Sequence, residues 1–306
     1  MDQVSLKLLI EENKYLEVLN ETDLENMYVE ETEISRPGLA LVNQFGHFSE
    51  NRVLLFGDPE YYFVDEVEEE VLNTLMSKKI PLIIFTRGNR PSERFLKIAN
   101  KYNKTVCLTD LITSTVFHKI HEYLEEKLAL QTQVHGVMLN IHGKGVLLQG
   151  ASGIGKSEVA LELVKKGHIL IADDMVILKN IDGSKLVGEA PDLLKSKMEI
   201  RGIGIVDIQK LFGVTSVLLK ENLDLIIELT NSELEVDRIG NNYQYKEILG
   251  VKKKKINIPV MAGKNLSSLI EVAVANFQLA EDYGYSSSEE FIKSLNNMLK
   301  ETNETN

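Results

Sequence analysis

The sequence predicts an α/β protein of two domains, on three observations. Apolar strand-like runs alternate with amphipathic helical stretches through the first 130 residues. A glycine-rich loop at 150–157 stands between an apolar run and a helical pattern. The length of 306 residues, with 43% hydrophobic and 26% charged side chains, suits about two domains with sizeable cores. The expected division is 1–130, an N-terminal α/β domain, and 131–306, a domain built around the loop.

In the first part, strands are expected at 27–34, 52–56, 81–86 and 105–108, and helices at 4–12, 65–77, 92–101 and 110–130. The last helix shows its period through Phe117, Ile120, Leu124 and Leu128 along one face. Pro91 and Ser92 open the third helix, where a proline loses no needed hydrogen bond. From residue 131 the style changes. Apolar runs at 134–141 and 145–149, joined by His142-Gly143-Lys144, read as a hairpin whose first strand begins near His135. A helix over 156–166 is stopped by Gly167. A strand at 168–172 leads into Asp173-Asp174, and another spans 222–229. A helix carrying Leu266, Ile270, Val274 and Phe277 is capped by Asn265 and closed by Gly284. A further helix is expected over 286–300, with a frayed tail behind it.

Composition excludes several classes. Residues 1–130 carry 23 Asp and Glu against 14 Lys and Arg, and residues 131–306 carry 23 against 20. A net charge of −12 disfavours a broad grip on nucleic-acid phosphates. The single cysteine, Cys107, lies in an apolar run and reads as a small buried thiol, so neither an internal disulfide nor a cysteine metal cluster is expected. No signal-peptide pattern and no apolar stretch near ~20 residues is present, which points to a cytoplasmic protein with no membrane partner.

The chemistry concentrates in Gly150-Ala151-Ser152-Gly153-Ile154-Gly155-Lys156-Ser157. Glycines let backbone N–H groups converge on phosphate oxygens, Lys156 carries a positive charge to the β/γ-phosphates, and Ser157 offers a hydroxyl to Mg²⁺. The helix behind directs its positive end at the anion. The expectation is a nucleotide site with Mg²⁺ as cofactor. The guanine-reading Asn-Lys-x-Asp pattern occurs nowhere, which favours ATP as substrate.

Phosphoryl transfer also needs a carboxylate near the transferred group. Asp173 and Asp174 lie where a strand ends, the edge at which open α/β sheets bind ligands, although a solvated acidic turn has the same appearance. Glu228, in an apolar strand, and Glu199, beside Arg201 and two glycines, are rival Mg²⁺ ligands. A lone His135 is more often structural, and Lys252–Lys255 reads as a solvated face or hairpin tip.

Taken together, several stretches resemble the bacterial HPr kinase/phosphorylase family. They are Ile34-Ser35-Arg36-Pro37-Gly38-Leu39, Thr86-Arg87-Gly88, His135-Gly136-Val137, the glycine-rich loop with Glu158, and His168 to Asp174. The segment from Glu199 to Ile208 and Val236-Asp237-Arg238-Ile239-Gly240 complete the set. The resemblance implies an N-terminal domain like one of the Mur ligases and a C-terminal P-loop kinase domain. It implies ATP- and Mg²⁺-dependent phosphorylation of a regulatory serine on the phosphocarrier HPr. It also implies reversal by phosphorolysis, in which phosphate attacks phosphoserine and pyrophosphate leaves. A homohexamer, response to fructose 1,6-bisphosphate and control of carbon metabolism are implied with it. Carried over, Asp173 exchanges the proton, Lys156 holds phosphates, Ser157 and Glu199 hold Mg²⁺, and His135 and Arg238 complete the catalytic set.

One stretch departs from the family. Where its members commonly read Pro-Val-Lys-x-Gly-Arg-Asn, a segment tied to dephosphorylation, this chain has Pro259-Val260-Met261-Ala262-Gly263-Lys264-Asn265. Lys264 offers a point charge in place of a two-pronged fork. A kinase of a small metabolite and a nucleotide sensor without transfer chemistry are the alternative readings.

Overall fold

Strands that read as unbroken apolar runs need both faces covered, and the N-terminal unit supplies both covers. The computed structural model describes residues 3–231, 243–261, 263–284 and 290. It divides into two compact units, Met1–Ala129 and Leu130–Asn306. The first contains β1 (Val4–Ser5), α1 (Leu6–Glu12), β2 (Glu17–Val18), β3 (Tyr28–Val29), β4 (Ile34–Ser35), α2 (Gly38–Leu41), β5 (Val53–Phe56) and α3 (Asp58–Val64). There follow α4 (Glu69–Ser77), β6 (Ile83–Phe85), α5 (Glu93–Lys101), β7 (Val106–Leu108) and α6 (Thr113–Leu128).

Its main sheet has the order β2-β7-β6-β5-β4, with β4 to β7 parallel. Side-chain alternation sends Leu54, Phe56, Ile83 and Phe85 to the face covered by α4 and α5. Val53, Leu55, Ile84 and Cys107 face α1 and α6. Burial pushes the Cys107 thiol up to about 12, so it is an inert core group.

Three expectations are corrected in this unit. The predicted 27–34 strand is two short ones, β3 on β1 and β4 on β5, in different sheets. The predicted 65–77 helix is preceded by a separate α3, whose Pro59 in the first turn was an available start signal. On α6 the core face is Val116, Ile120 and Leu124, while Phe117 is exposed. A helical period is satisfied by either starting residue, and the sheet selects Val116.

The second unit contains β8 (Leu130–His135), β9 (Val137–Ile141), β10 (Lys144–Gly150), α7 (Lys156–Lys165), β11 (Ile169–Ala172), β12 (Met175–Ile181) and β13 (Lys185–Glu189). Next come β14 (Lys197–Ile200), β15 (Gly204–Asp207), α8 (Ile208–Phe212), β16 (Lys220–Asn222), β17 (Leu225–Thr230), β18 (Gln244–Ile248), β19 (Val251–Pro259) and α9 (Leu266–Tyr283). A six-stranded sheet, β11-β9-β10-β17-β19-β18, packs its Val146, Leu148 and Ile227 face with Val159 and Leu163 of α7 and Val274 of α9. Its other face, with Met138, Leu147 and Ile226, packs with Val176, Leu178 and Leu186 of the sheet β16-β13-β12-β8.

The predicted 134–141 strand is therefore divided. β8 ends at His135 on one sheet, paired with β12, and β9 starts at Val137 on the other. Gly136 makes the crossing because a Cβ there would stand 2.6 Å from the Leu148 carbonyl oxygen. The lysine run is not itself a hairpin tip. Lys252 to Lys255 lie within β19, and the turn before them is Leu249-Gly250, both at positive φ. Asn265 caps α9 by accepting the Ser268 N–H, and Gly284 closes it in the left-handed conformation, as its composition predicts. The predicted helix over 286–300, apart from residue 290, and the tail behind it lie outside the described residues.

Candidate active site

β10 and β17 run parallel, and the chain leaves β10 at Gly150 into the glycine-rich loop. Gly150 has φ +141°, and a Cβ there would meet the Leu229 carbonyl oxygen at 2.6 Å. Gly155 has φ +102° and forms the N-cap of α7. These two conformations exclude ordinary side chains and bring the loop back over the helix N-terminus. Lys156, the first helical residue, is nearly buried, and its Nζ donates to the carbonyls of Gly150 at 2.9 Å and Ala151 at 3.1 Å.

β11 ends beside this loop. Asp173, only 3% exposed, accepts the Ser157 hydroxyl on Oδ1 at 2.9 Å and the Glu199 N–H on Oδ2 at 3.1 Å. Burial holds its carboxyl above the ordinary aspartate value, and the two hydrogen bonds partly offset that shift. Asp174, at φ +66°, places its Oδ1 3.1 Å from Nδ1 of His135. The two aspartates thus occupy different environments, one desolvated and one exposed. The Asp174 carbonyl accepts the Gly136 N–H at 3.0 Å, which ties the end of β8 to the end of β11.

Glu199 belongs to the β14–β15 hairpin, whose base is pinned where Lys197 pairs with Asp207 at 2.6 Å. Asp207 also caps α8 by accepting the Lys210 N–H. The hairpin brings Glu199 and Arg201 over the loop, and a Cβ on Gly153 would stand 3.0 Å from the Arg201 guanidinium. A cleft of about 250 Å³ results, lined by His135, Ser152, Gly153, Gly155, Lys156, Ser157, Glu158, Asp173, Asp174, Glu199 and Arg201, with Val137 at its base. Of the predicted residues, His135, Ser152, Gly153, Gly155, Lys156, Ser157, Asp173 and Glu199 come together here, while Gly150 and Ala151 accept from Lys156 behind the lining. Ile154 instead packs on the core below the loop. Glu228, the rival carboxylate, sits within β17 between Gln149 and Asn257 and does not line the cleft. Arg238 lies outside the described residues.

The profile of the HPr Serine kinase N terminus matches residues 4–124, and that of the HPr Serine kinase C-terminal domain matches residues 126–295. The chain belongs to the HPr serine kinase family. It is accordingly a member of a family of phosphotransferase enzymes. The HPr kinase/phosphorylase of Lachnoclostridium phytofermentans is 36% identical over 309 residues, covering 99% of this chain and 100% of that protein. The HPr kinase/phosphorylase of Peptoclostridium acidaminophilum is 39% identical and covers 96% of each chain. The solved structure of the Hpr(Ser) kinase/phosphatase from Coxiella burnetii is 36% identical, covering 49% of this chain and 99% of that one, with a TM-score of 0.47.

Within this HPr serine kinase chain, sequence reasoning passed over Arg201 as a site residue. The available signal was its place between Glu199 and the glycines Gly202 and Gly204, a composition suited to an anion-facing turn. Asp174 has no site role in the sequence analysis, and the structure gives it the contact to His135. No described helix is long and apolar enough to cross a membrane.

Proposed function

We propose that the chain is an ATP-dependent kinase of a regulatory serine on HPr, working in the cytoplasm as a homohexamer, and that it reverses the reaction by phosphorolysis. The observation that carries this reading is a buried Asp173 hydrogen-bonded to Ser157 at the mouth of a glycine-rich loop and helix N-terminus. In the forward direction Asp173 accepts the proton of the attacking seryl hydroxyl, and in reverse it returns that proton to the departing serine. Lys156 and the loop N–H groups from 150 to 157 hold the phosphates of ATP, as a P-loop does. His135, held by Asp174, lines the cleft beside the transferred group, and the family resemblance adds Arg238 to the catalytic set. The parallel sheet covered on both faces supports a Mur-ligase-like reading of the N-terminal unit.

The oxygen donors Ser157 and Glu199 suit a hard cation, and both line the cleft. Bound there, Mg²⁺ supplies positive charge to phosphate oxygens. Incubation with HPr, ATP and Mg²⁺ should yield phosphoserine on HPr, and later addition of phosphate should release pyrophosphate. ATP consumption with a small metabolite and none with HPr would support the metabolite-kinase reading, and nucleotide binding without turnover would support the sensor.

The balance of the two directions is set, in this reading, by the stretch after β19. That strand ends on the same sheet edge as β10 and β17, and the Val260 N–H donates to the Thr230 carbonyl at 2.8 Å. Phosphorolysis brings an extra anion to this edge, so it demands more cationic groups than ATP-dependent transfer. Met261 supplies none, and Lys264, exposed on its turn, supplies a point charge. One charge-assisted hydrogen bond contributes ~1.5–3 kcal/mol, or about tenfold or more in phosphate affinity. The double variant Met261→Lys, Lys264→Arg should therefore lower the phosphate concentration for half-maximal phosphorolysis by about tenfold and leave the ATP requirement nearly unchanged. An unaltered phosphate dependence would separate these residues from the reverse reaction.

A further inference from the structure

A second group of ligating side chains lies at the opposite end of the six-stranded sheet from the glycine-rich loop. Among the described residues, His142, His168 and Glu271 each present one ligand atom, all within 4.8 Å of one another. Three separate elements deliver them. His142 stands in the β9–β10 turn at φ +53°, His168 follows the Gly167 stop of α7, and Glu271 lies in the second turn of α9. The register of β9 and β10 joins Lys144 to Ile141 at this end and Leu148 to Val137 at the other. At about 3.4 Å per residue, the length of β10 separates the group from the loop by roughly 20 Å.

We propose that His142, His168 and Glu271 form a binding site for a divalent transition metal of the zinc type, remote from phosphoryl transfer. Two imidazoles and one carboxylate are a donor set that zinc takes with water in its fourth position. His168 is 8% exposed, and its Nε2 already stands 2.9 Å from Oε1 of Glu271. Tetrahedral donors around zinc lie about 3.3 Å apart, so this pair needs only a slight widening. The His142 and His168 rings meet edge to face at 4.8 Å between centroids, and His142, exposed on its turn, is the ligand with room to move in.

The surroundings are those of a held ligand set. The Lys166 ammonium donates at 2.6 Å to Oε2 of Glu271, the oxygen not facing His168, and keeps the carboxylate ionised. Such outer contacts orient a ligating carboxylate without occupying its metal-facing oxygen. Binding requires His168 in the tautomer with its proton on Nδ1, which leaves the Nε2 lone pair for the metal. A metal here joins the β9–β10 turn to the ends of α7 and α9, and it acts on the stability of this unit rather than on the cleft.

The test uses the full chain, freed of metal and titrated with Co²⁺ and Zn²⁺ against a chromophoric chelator. His142→Asn keeps a residue that tolerates positive φ, and Glu271→Gln removes the charged ligand. Glu199→Gln reports any metal captured at the candidate active site. We expect one Co²⁺ per chain with tetrahedral visible absorption, retained in Glu199→Gln. His142→Asn and Glu271→Gln should weaken binding by about tenfold or more while melting as cooperatively as the parent without metal. The proposal is overturned if no ion binds, if binding is lost only in Glu199→Gln, or if the His142 and Glu271 variants bind like the parent.

Discussion

Replacing Asp173 by Asn is expected to lower kinase turnover by roughly 10²–10⁴-fold, the usual contribution of a positioned general base, while ATP still binds. The fold should survive the change. The Asn carbonyl can accept the Glu199 N–H, and its amide can donate to Ser157 Oγ, so both present partners keep a hydrogen bond. Burial raises the Asp173 carboxyl above the ordinary aspartate value, and only the ionised form can take the seryl proton. The kinase kcat/KM should therefore fall as pH drops through a value above the normal aspartate range. Phosphorolysis, which needs the protonated form, should weaken as pH rises through that value. Stopped-flow phosphorylation of HPr across pH, with the Asn variant as reference, checks both limbs. A larger loss in Asp174→Asn would exchange the roles assigned to the pair.

Lys156→Ala is expected to reduce kinase kcat/KM by roughly 10²–10³-fold or more, since a preorganised cation at the transferred phosphates is among the larger electrostatic contributions. The variant should remain folded. Lys156 contacts the Gly150 and Ala151 carbonyls, and no apolar core depends on its ammonium. Gly150 is half-buried and Ala151 exposed, so water can replace the lost donor. Thermal melting should move by only a few degrees, while fluorescent-nucleotide titration should show weakened binding. Normal turnover in Lys156→Ala would remove the phosphate-holding role from the glycine-rich loop.

Much of this site was readable because its information is local. The residues from 150 to 157 set their own backbone conformations, and Gly155 followed by Lys156 starts a helix regardless of what packs on it. Asp173 was readable as the end of an apolar strand. Glu199 was a different case. The residues alone gave it a weaker signal than Glu228, and only the resemblance to HPr kinases favoured it. In the structure the Glu199 N–H bonds to Asp173, whereas Glu228 lies within the sheet. Arg201 was passed over because it reaches Gly153 through a hairpin fold, a closeness that spacing along the chain does not express.

By itself, then, the sequence determined the α/β class, the glycine-rich turn, the caps of α9 and the carboxylates available for chemistry. Each of these depends on neighbours within about one turn of helix or one strand. Only the tertiary structure decided that the run around Gly136 serves two sheets, that Val116 rather than Phe117 faces the core, and that Asp173 is buried while Asp174 holds His135. An alternating apolar pattern specifies which residues share a face but not which sheet that face meets. That choice is made by long-range packing, and at Gly136 it turns on the 2.6 Å between an absent Cβ and the Leu148 carbonyl oxygen.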